Sequence, residues 1–478
     1  MYSRPIEEGK HTTAAILYRD EIVPTRHVEH LGAHSGCVTS ADMTLGLLFA
    51  DERGTVMEHP TLLAAVRSGE EILPASECGE RGIALPEHAR LAYLPGRVPV
   101  GIDPASGEPV PLFEVKVGRK TIKPAAVGAL LPPGYTRTFL PAEVPPEGAP
   151  PLPQWAYTAA AWTPKGPIAY AVHTDLRTHW DPARYSTPDL KKLVEARIAQ
   201  DPENKVLRQL KTCALLYRCF TSQNVFYERD EGAIPASVAC NAFCVGCISE
   251  QDEDGPPASH ERQDKAPSAE EMGRIAAQHL ERAPGRTMVS FGQGCEGEPL
   301  TRARAIDGAI RYARERTRRG SININTNASR TDDLRKLFDA GLDAIRVSLN
   351  SADPELYANY YRPVGYDFSD VERSIALSRE RGAYLALNLL LFPGVTDREG
   401  EVERLCELVQ RYHVDQVQTR SLCIDPRQYL EVAHECGAGG RPIGVKNLLD
   451  ALQDARPGLI IGNFARGLDE RQNAATLR

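Results

Sequence analysis

The 478-residue chain has no apolar run of transmembrane length; a spanning helix needs about 20 consecutive apolar residues. Its first ten residues, Met-Tyr-Ser-Arg-Pro-Ile-Glu-Glu-Gly-Lys, lack the apolar core of a secretory signal. A cytoplasmic protein with no membrane partner is therefore expected. Basic excess is also missing, since the formal net charge is -8. Without clustered positive charge to meet phosphates, no nucleic-acid partner is expected. The one basic run, Arg311 to Arg319, is interrupted by Glu315 and reads as a solvated helix face. Cysteine is sparse, with eleven in the whole chain, too few for a disulfide scaffold. In a reducing compartment, a tight cysteine cluster points instead to metal or catalysis.

One such cluster exists: Cys240-Asn-Ala-Phe-Cys244-Val-Gly-Cys247, three thiols spaced C-x3-C-x2-C. Thiolates are soft ligands and hold cubane iron–sulfur clusters. A four-iron cluster normally takes four cysteines, so this loop would leave one iron open to a small molecule. A second group, His27, His30, His34 and Cys37, has zinc-binding side chains but no recognisable ligand spacing. Cys406, Cys423 and Cys436 are too scattered for an auxiliary cluster to be expected.

Length alone implies more than one core. Residues 1–140 read as a β-rich accessory domain, with a hairpin turn at Asp103-Pro-Ala-Ser-Gly107. The proline-dense residues 141–153 read as a semi-rigid linker. Residues 154–232 read as a mixed connecting segment whose helix breaks at Asp201-Pro202. From 233 to 425 strand and helix alternate. Strands are expected at Ile234–Val238, Thr287–Phe291, Ser321–Asn325, Ala344–Leu349, Tyr384–Leu391 and Gln416–Ser421. Parallel βαβ units follow, in a partial (β/α)6 barrel. Residues 426–478 read as a C-terminal extension, with a helix at Val445–Ala455 and a strand at the apolar run Leu459–Ile461.

The cysteine loop follows the first strand directly, and barrel active sites lie at the carboxyl ends of strands. The second strand runs into Gly292-Gln-Gly-Cys-Glu-Gly297-Glu298-Pro299, where glycines allow close backbone approach to a ligand. Cys295, beside this turn, is a candidate redox or hydrogen-donating thiol. In later strands polar residues alternate with apolar ones: Asn323 and Asn325; Arg346, Ser348 and Asn350; Asn388; Gln418 and Arg420. Period two puts each set on one face. Strands covered by crossover helices leave no solvent for that face, so a polar lumen holding a ligand is expected. Arg346, Gln418 and Arg420 are candidates for gripping an acidic substrate group.

These motifs together resemble the radical S-adenosylmethionine (radical SAM) enzymes. The matching residues are Cys240, Cys244 and Cys247, Gly297-Glu298-Pro299, Asn325-Thr-Asn327, Val347-Ser-Leu-Asn-Ser351 and Leu387 to Thr396. The later strands are most similar to molybdenum-cofactor biosynthesis enzymes and glycyl-radical-enzyme activases. The resemblance implies a [4Fe–4S] cluster on the three cysteines and S-adenosylmethionine on the open iron. It further implies an external one-electron reductant and a 5′-deoxyadenosyl radical that takes hydrogen from a substrate. By the family's pattern Gly297, Glu298 and Pro299 would receive the methionine amino group. Asn325, Ser348 or Asn350, with Asn388, would contact ribose or carboxylate. Many members carry an aromatic residue just before the third cysteine. Here that residue is Gly246, so adenine contact is expected from backbone and Ile248. A peptide or protein substrate and glycyl-radical activation both stay open. So does a non-catalytic iron–sulfur or zinc module used for sensing or assembly, which leaves the Gly-Glu-Pro turn and the polar lumen unexplained.

Overall fold

The computed structural model describes residues 45–253, 255–434, 436 and 439–467. The His27, His30, His34 and Cys37 group lies outside them. Within them a β-rich N-terminal unit precedes an α/β unit. No helix among the described residues is long and apolar enough to cross a membrane.

The β-rich unit is built around Val56–Ser68, a 13-residue strand that pairs antiparallel with four others. The hairpin expected at Asp103 forms between Val98–Ile102 and Pro109–Pro111. The Asp103 carboxylate accepts from Ala105 N–H at 3.1 Å, and Gly107 takes φ 75°, the turn chemistry that closes such loops. The boundary expected at residue 140 is corrected. Thr158–Thr163 pairs with Gly46 and with Gly128–Ala129, so the sheet continues through the segment read as a connection.

The linker reading is corrected as well. Leu140–Pro141 and Glu143–Val144 are strands of the sheet. Leu152 is fully buried, its N–H donating to Asp425 at 2.8 Å. Proline cannot donate to a ladder but still accepts, so it is tolerated at sheet edges, and the segment packs rather than spans.

The α/β unit is a parallel sheet of seven strands in sequential order: β1 (Glu231–Ile234), β2 (Met288–Phe291), β3 (Ser321–Thr326), β4 (Ala344–Leu349), β5 (Tyr384–Leu391), β6 (Gln416–Ser421) and β7 (Ile460–Gly462). The strand expected in the C-terminal extension forms at Ile460–Gly462 and pairs with β6, taking the six expected strands of the sheet to seven. The first strand ends at Ile234, four residues earlier than its sequence suggests. Pro235 follows immediately, and proline has no N–H for the ladder. β1 and β7 are edges, so the sheet is open. Helices Ala269–Arg282, Ala303–Arg316, Thr331–Ala340, Phe368–Glu380, Glu399–Arg411 and Val445–Ala455 are the crossovers. Their apolar stripes and the Ile, Leu and Val residues of β3–β6 form one continuous buried core. Two further helices, Pro354–Tyr361 and Pro426–His434, follow the sheet's carboxyl ends.

The two units interlock beyond β6. Arg97 and Asp425 form an ion pair at 2.6 Å, with side chains 1% and 2% exposed. Thr136 shares a 2.7 Å hydroxyl contact with Thr419. Arg137 donates to Leu422 O at 2.8 Å, and Gln154 donates to Cys247 O at 3.1 Å. The β-rich unit therefore forms one wall of the region above the parallel sheet.

Candidate active site

The cysteine loop leaves β1 and is pinned to the end of the Pro354–Tyr361 helix. Phe243 N–H donates to Tyr361 O and Val245 N–H to Tyr360 O, both at 3.0 Å. Cys247 N–H closes the loop on Cys244 O at 3.1 Å. Burial, and then the neighbouring thiols, push the Cys244 thiol well up; burial pushes Cys240 up as well. Three thiols in one loop, open to a shared cavity, are a soft donor set that a bound metal would hold as thiolates, so the donor set fits a metal cluster. Among the described residues no three His, Cys, Asp or Glu side chains converge as ligands of one ion would. In a cubane each thiolate binds its own iron, so spaced thiols suit a cluster.

The Gly-Glu-Pro turn lies against this loop. Gly297 N–H donates to Ser237 O at 3.2 Å and Glu298 N–H to Ala239 O at 2.9 Å. A Cβ on Gly297 would stand 2.0 Å from Ala239 O and 2.5 Å from its carbonyl carbon. Both are backbone atoms and cannot swing aside. Gly297→Ala should therefore force turn and loop apart, costing about 1–3 kcal/mol. A denaturant midpoint equal to wild type would contradict this.

Glu298 is not a free carboxylate. It accepts from Leu300 N–H at 2.9 Å, Asn327 N–H at 2.8 Å and the Thr326 hydroxyl, and burial pushes it up to about 7. It locks the turn to the end of β3 and leaves backbone groups to face a ligand. Glu296, unnoticed in the sequence, performs the matching task for β1. Its carboxylate accepts from Ala236 N–H at 2.5 Å, Ser237 N–H at 2.6 Å and Gln293 N–H at 2.8 Å.

Burial pushes the Glu296 carboxyl from 4.5 to about 8, against these donors. A raised carboxyl holds its proton more tightly folded than unfolded. Its stabilisation is complete below the unfolded value and is lost as pH rises through about 8. Between about pH 5 and 8, wild type should lose stability faster than Glu296→Gln, by at most about 1.4 kcal/mol per pH unit. Denaturant midpoints across that range read the difference, and parallel profiles would contradict it.

A cavity of about 490 Å³ joins these parts, within the roughly 300–1,000 Å³ typical of ligand sites. Cys240, Cys244, Cys247, Gly297, Glu298, Pro299, Asn325, Arg346, Ser348, Asn388 and Arg420 all line it. The expected polar face is present, with Ser348, Asn388 and Gln418 in one cross-strand row. Three expected residues lie elsewhere. Asn350 is fully buried and donates to Leu356 O and the Tyr429 hydroxyl, each at 3.3 Å. β4 ends at Leu349, and period two ends with it. Gln418 is fully buried behind Arg420, accepting from that guanidinium at 3.2 Å. Cys295 also points away: its thiol partners Cys213, and burial adds to pushing it well up.

Several lining residues were not singled out from the sequence. Glu231 pairs with Arg346 at 3.0 Å. Cys423 closes the carboxyl end of β6. Tyr360 and Tyr361 come from the helix opened by Asp353-Pro354, where Asp353 accepts from Glu355 N–H at 2.9 Å. An Asp-Pro helix start is a readable signal. Tyr360 also accounts for Gly246, since a Cβ there would stand 2.8 Å from the Tyr360 hydroxyl. The tyrosine occupies the space a larger residue at 246 would need. A wider space of about 680 Å³ lies on the loop's other side, where Phe243 is 59% exposed.

The Radical SAM superfamily profile matches residues 234–407. A probable GTP 3′,8-cyclase of Methanococcus maripaludis strain C5 is 26% identical over 196 residues, 37% of this chain and 60% of that protein. The chain therefore spans less than two thirds of this relative. Among solved structures, Streptococcus suis SuiB bound to S-adenosylmethionine aligns with 17% identity and TM-score 0.33, covering 58% of this chain and 56% of SuiB. Methylornithine synthase PylB aligns with 13% identity and TM-score 0.33, covering 57% and 74%. Residues 234–407, which hold the cysteine loop and its facing turn, are thus similar to the Radical SAM superfamily.

Proposed function

We propose that Cys240, Cys244 and Cys247 hold three irons of a [4Fe–4S] cluster, and that S-adenosylmethionine takes the fourth. When bound and reduced by an external one-electron donor, the pair supplies a 5′-deoxyadenosyl radical that abstracts hydrogen from substrate. The observation that carries this reading is the shared cavity, where three clustered thiols and the Gly-Glu-Pro backbone meet at the carboxyl ends of parallel strands. The chain's own residues prepare the site. Glu296 and Glu298 fix the two facing loops. Carbonyl groups of the Gly297–Pro299 turn receive the methionine amino group. Ser348, Asn388 and Asn325 contact ribose or carboxylate, and Tyr360 with Ile248 packs near adenine. On this reading the open sheet is the partial barrel, and the β-rich unit shapes substrate access and excludes water from its mouth. A closed mouth keeps a reactive intermediate from side reactions.

Anaerobic reconstitution with iron and sulfide, reduction by dithionite and addition of S-adenosylmethionine test this directly. 5′-Deoxyadenosine and methionine should form in equal amounts. A well-formed cluster that yields neither, with or without a carboxylate cosubstrate, would favour the non-catalytic iron–sulfur reading.

A further inference from the structure

The sixth strand ends in Arg420-Ser-Leu-Cys423, and all four residues line the cavity. The charges there do not balance. Glu231 neutralises Arg346 at 3.0 Å. Arg420 makes no ion pair among the described residues. Its Nε donates to Asn388 Oδ1 at 3.3 Å and an Nη donates to Gln418 Oε1 at 3.2 Å. Burial, and then Arg346 beside it, bring its guanidinium down to about 10. Arg137 reaches the same corner from the β-rich unit. It is fully buried; its two Nη atoms donate to carbonyl groups, Tyr157 O at 3.2 Å and Leu422 O at 2.8 Å, while its Nε has no partner among the described residues. The Cys423 thiol faces both guanidinium groups. Glu231 and Asp175 offset the Arg420 charge only in part and from a distance, and a guanidinium taken from water with no carboxylate in contact is costly, an arrangement that makes sense when a ligand supplies the anion.

A second chamber of about 340 Å³ adjoins this corner and shares Ile248 and Cys423 with the cavity. Leu130, Leu131, Trp155 and Ala156 of the β-rich unit form its apolar wall. Deepening the reading above, on which this rests, we propose that this corner is the substrate subsite. It takes an organic carboxylate on Arg420, with an aromatic-sized apolar group in the second chamber. A guanidinium matches a carboxylate by two parallel hydrogen bonds. S-adenosylmethionine also has a carboxylate, on the same carbon as its amino group. With that amino group at the turn after β2, Asn325 and Ser348 on β3 and β4 take this carboxylate, and Arg420 is left for the substrate.

The test uses the full chain with its cluster reconstituted and S-adenosylmethionine present. The probes are N-acetyl-phenylalanine and its neutral amide, N-acetyl-phenylalaninamide. Wild type should bind the acid about tenfold or more tightly than the amide. Arg420→Gln should reduce that preference to within about twofold, and Arg420→Lys, which keeps the charge, should retain part of it. Ala156→Trp, which fills the chamber, should weaken the acid by about tenfold. Equal binding of acid and amide by wild type, with S-adenosylmethionine bound, would overturn the subsite alone. An Arg420→Gln variant that keeps the preference but binds S-adenosylmethionine tenfold more weakly would assign the anion to that cosubstrate. Failure of wild type to bind S-adenosylmethionine would sink both the subsite and the reading beneath it.

Discussion

Cys244→Ala should abolish 5′-deoxyadenosine formation, with a loss on the order of 10³-fold or more. Changes to partners behind metal ligands already cost about 10–100-fold, and removal of a ligand exceeds that. Cys244 is the middle thiol of the loop, packed against the main core. The loop's backbone is held by Tyr360 O and Tyr361 O rather than by the thiol. Alanine therefore removes a ligand while leaving the loop's hydrogen bonds in place. Iron content per chain and cleavage rate should fall together, with circular dichroism unchanged. Cys406→Ala is the control, since that thiol packs at the edge of the core on the Glu399–Arg411 helix. Near-normal cleavage by Cys244→Ala would remove the loop from the chemistry.

Asp425→Ala should destabilise the chain by about 3–5 kcal/mol, the cost of orphaning one member of a buried ion pair. Its partner Arg97 is 1% exposed. The other Arg97 contacts are Pro150 O at 2.9 Å and the longer pair with Glu143 at 3.6 Å. Asp425 also accepts from Leu152 N–H at 2.8 Å, so two tethers between the β-rich unit and the end of β6 are lost together. Arg97→Met combined with Asp425→Leu should recover part of the loss, because the apolar pair carries no desolvation cost while Leu152 N–H and Glu143 still lose a partner. Urea midpoints of the three variants measure it. A change below about 1 kcal/mol for Asp425→Ala would mean that the units are held by other contacts.

The parallel sheet was legible because its strands are short apolar runs between strongly amphipathic helices. β4, β5 and β6 carry the limits their sequences suggest. The three cysteines and the Gly-Glu-Pro turn were legible because each is local. What escaped depends on partners distant in sequence. Glu231 acquires meaning only beside Arg346, 115 residues later. Gly246 becomes intelligible only against Tyr360. Asn350 shares the alternation of Arg346 and Ser348, yet it lies past the strand's end and turns into the core. The proline-dense segment gave no sign of Asp425 or Arg97, the partners that turn a spacer into packed structure.

The most direct test of three-cysteine ligation is electron–nuclear double resonance on the reduced cluster with S-adenosylmethionine labelled with ¹⁵N at its methionine amino group. An open iron predicts a ¹⁵N coupling that appears on addition of the labelled compound and vanishes with unlabelled material. A reduced cluster whose spectrum is the same with and without S-adenosylmethionine would show that no iron is open to it, and would contradict the proposed chemistry.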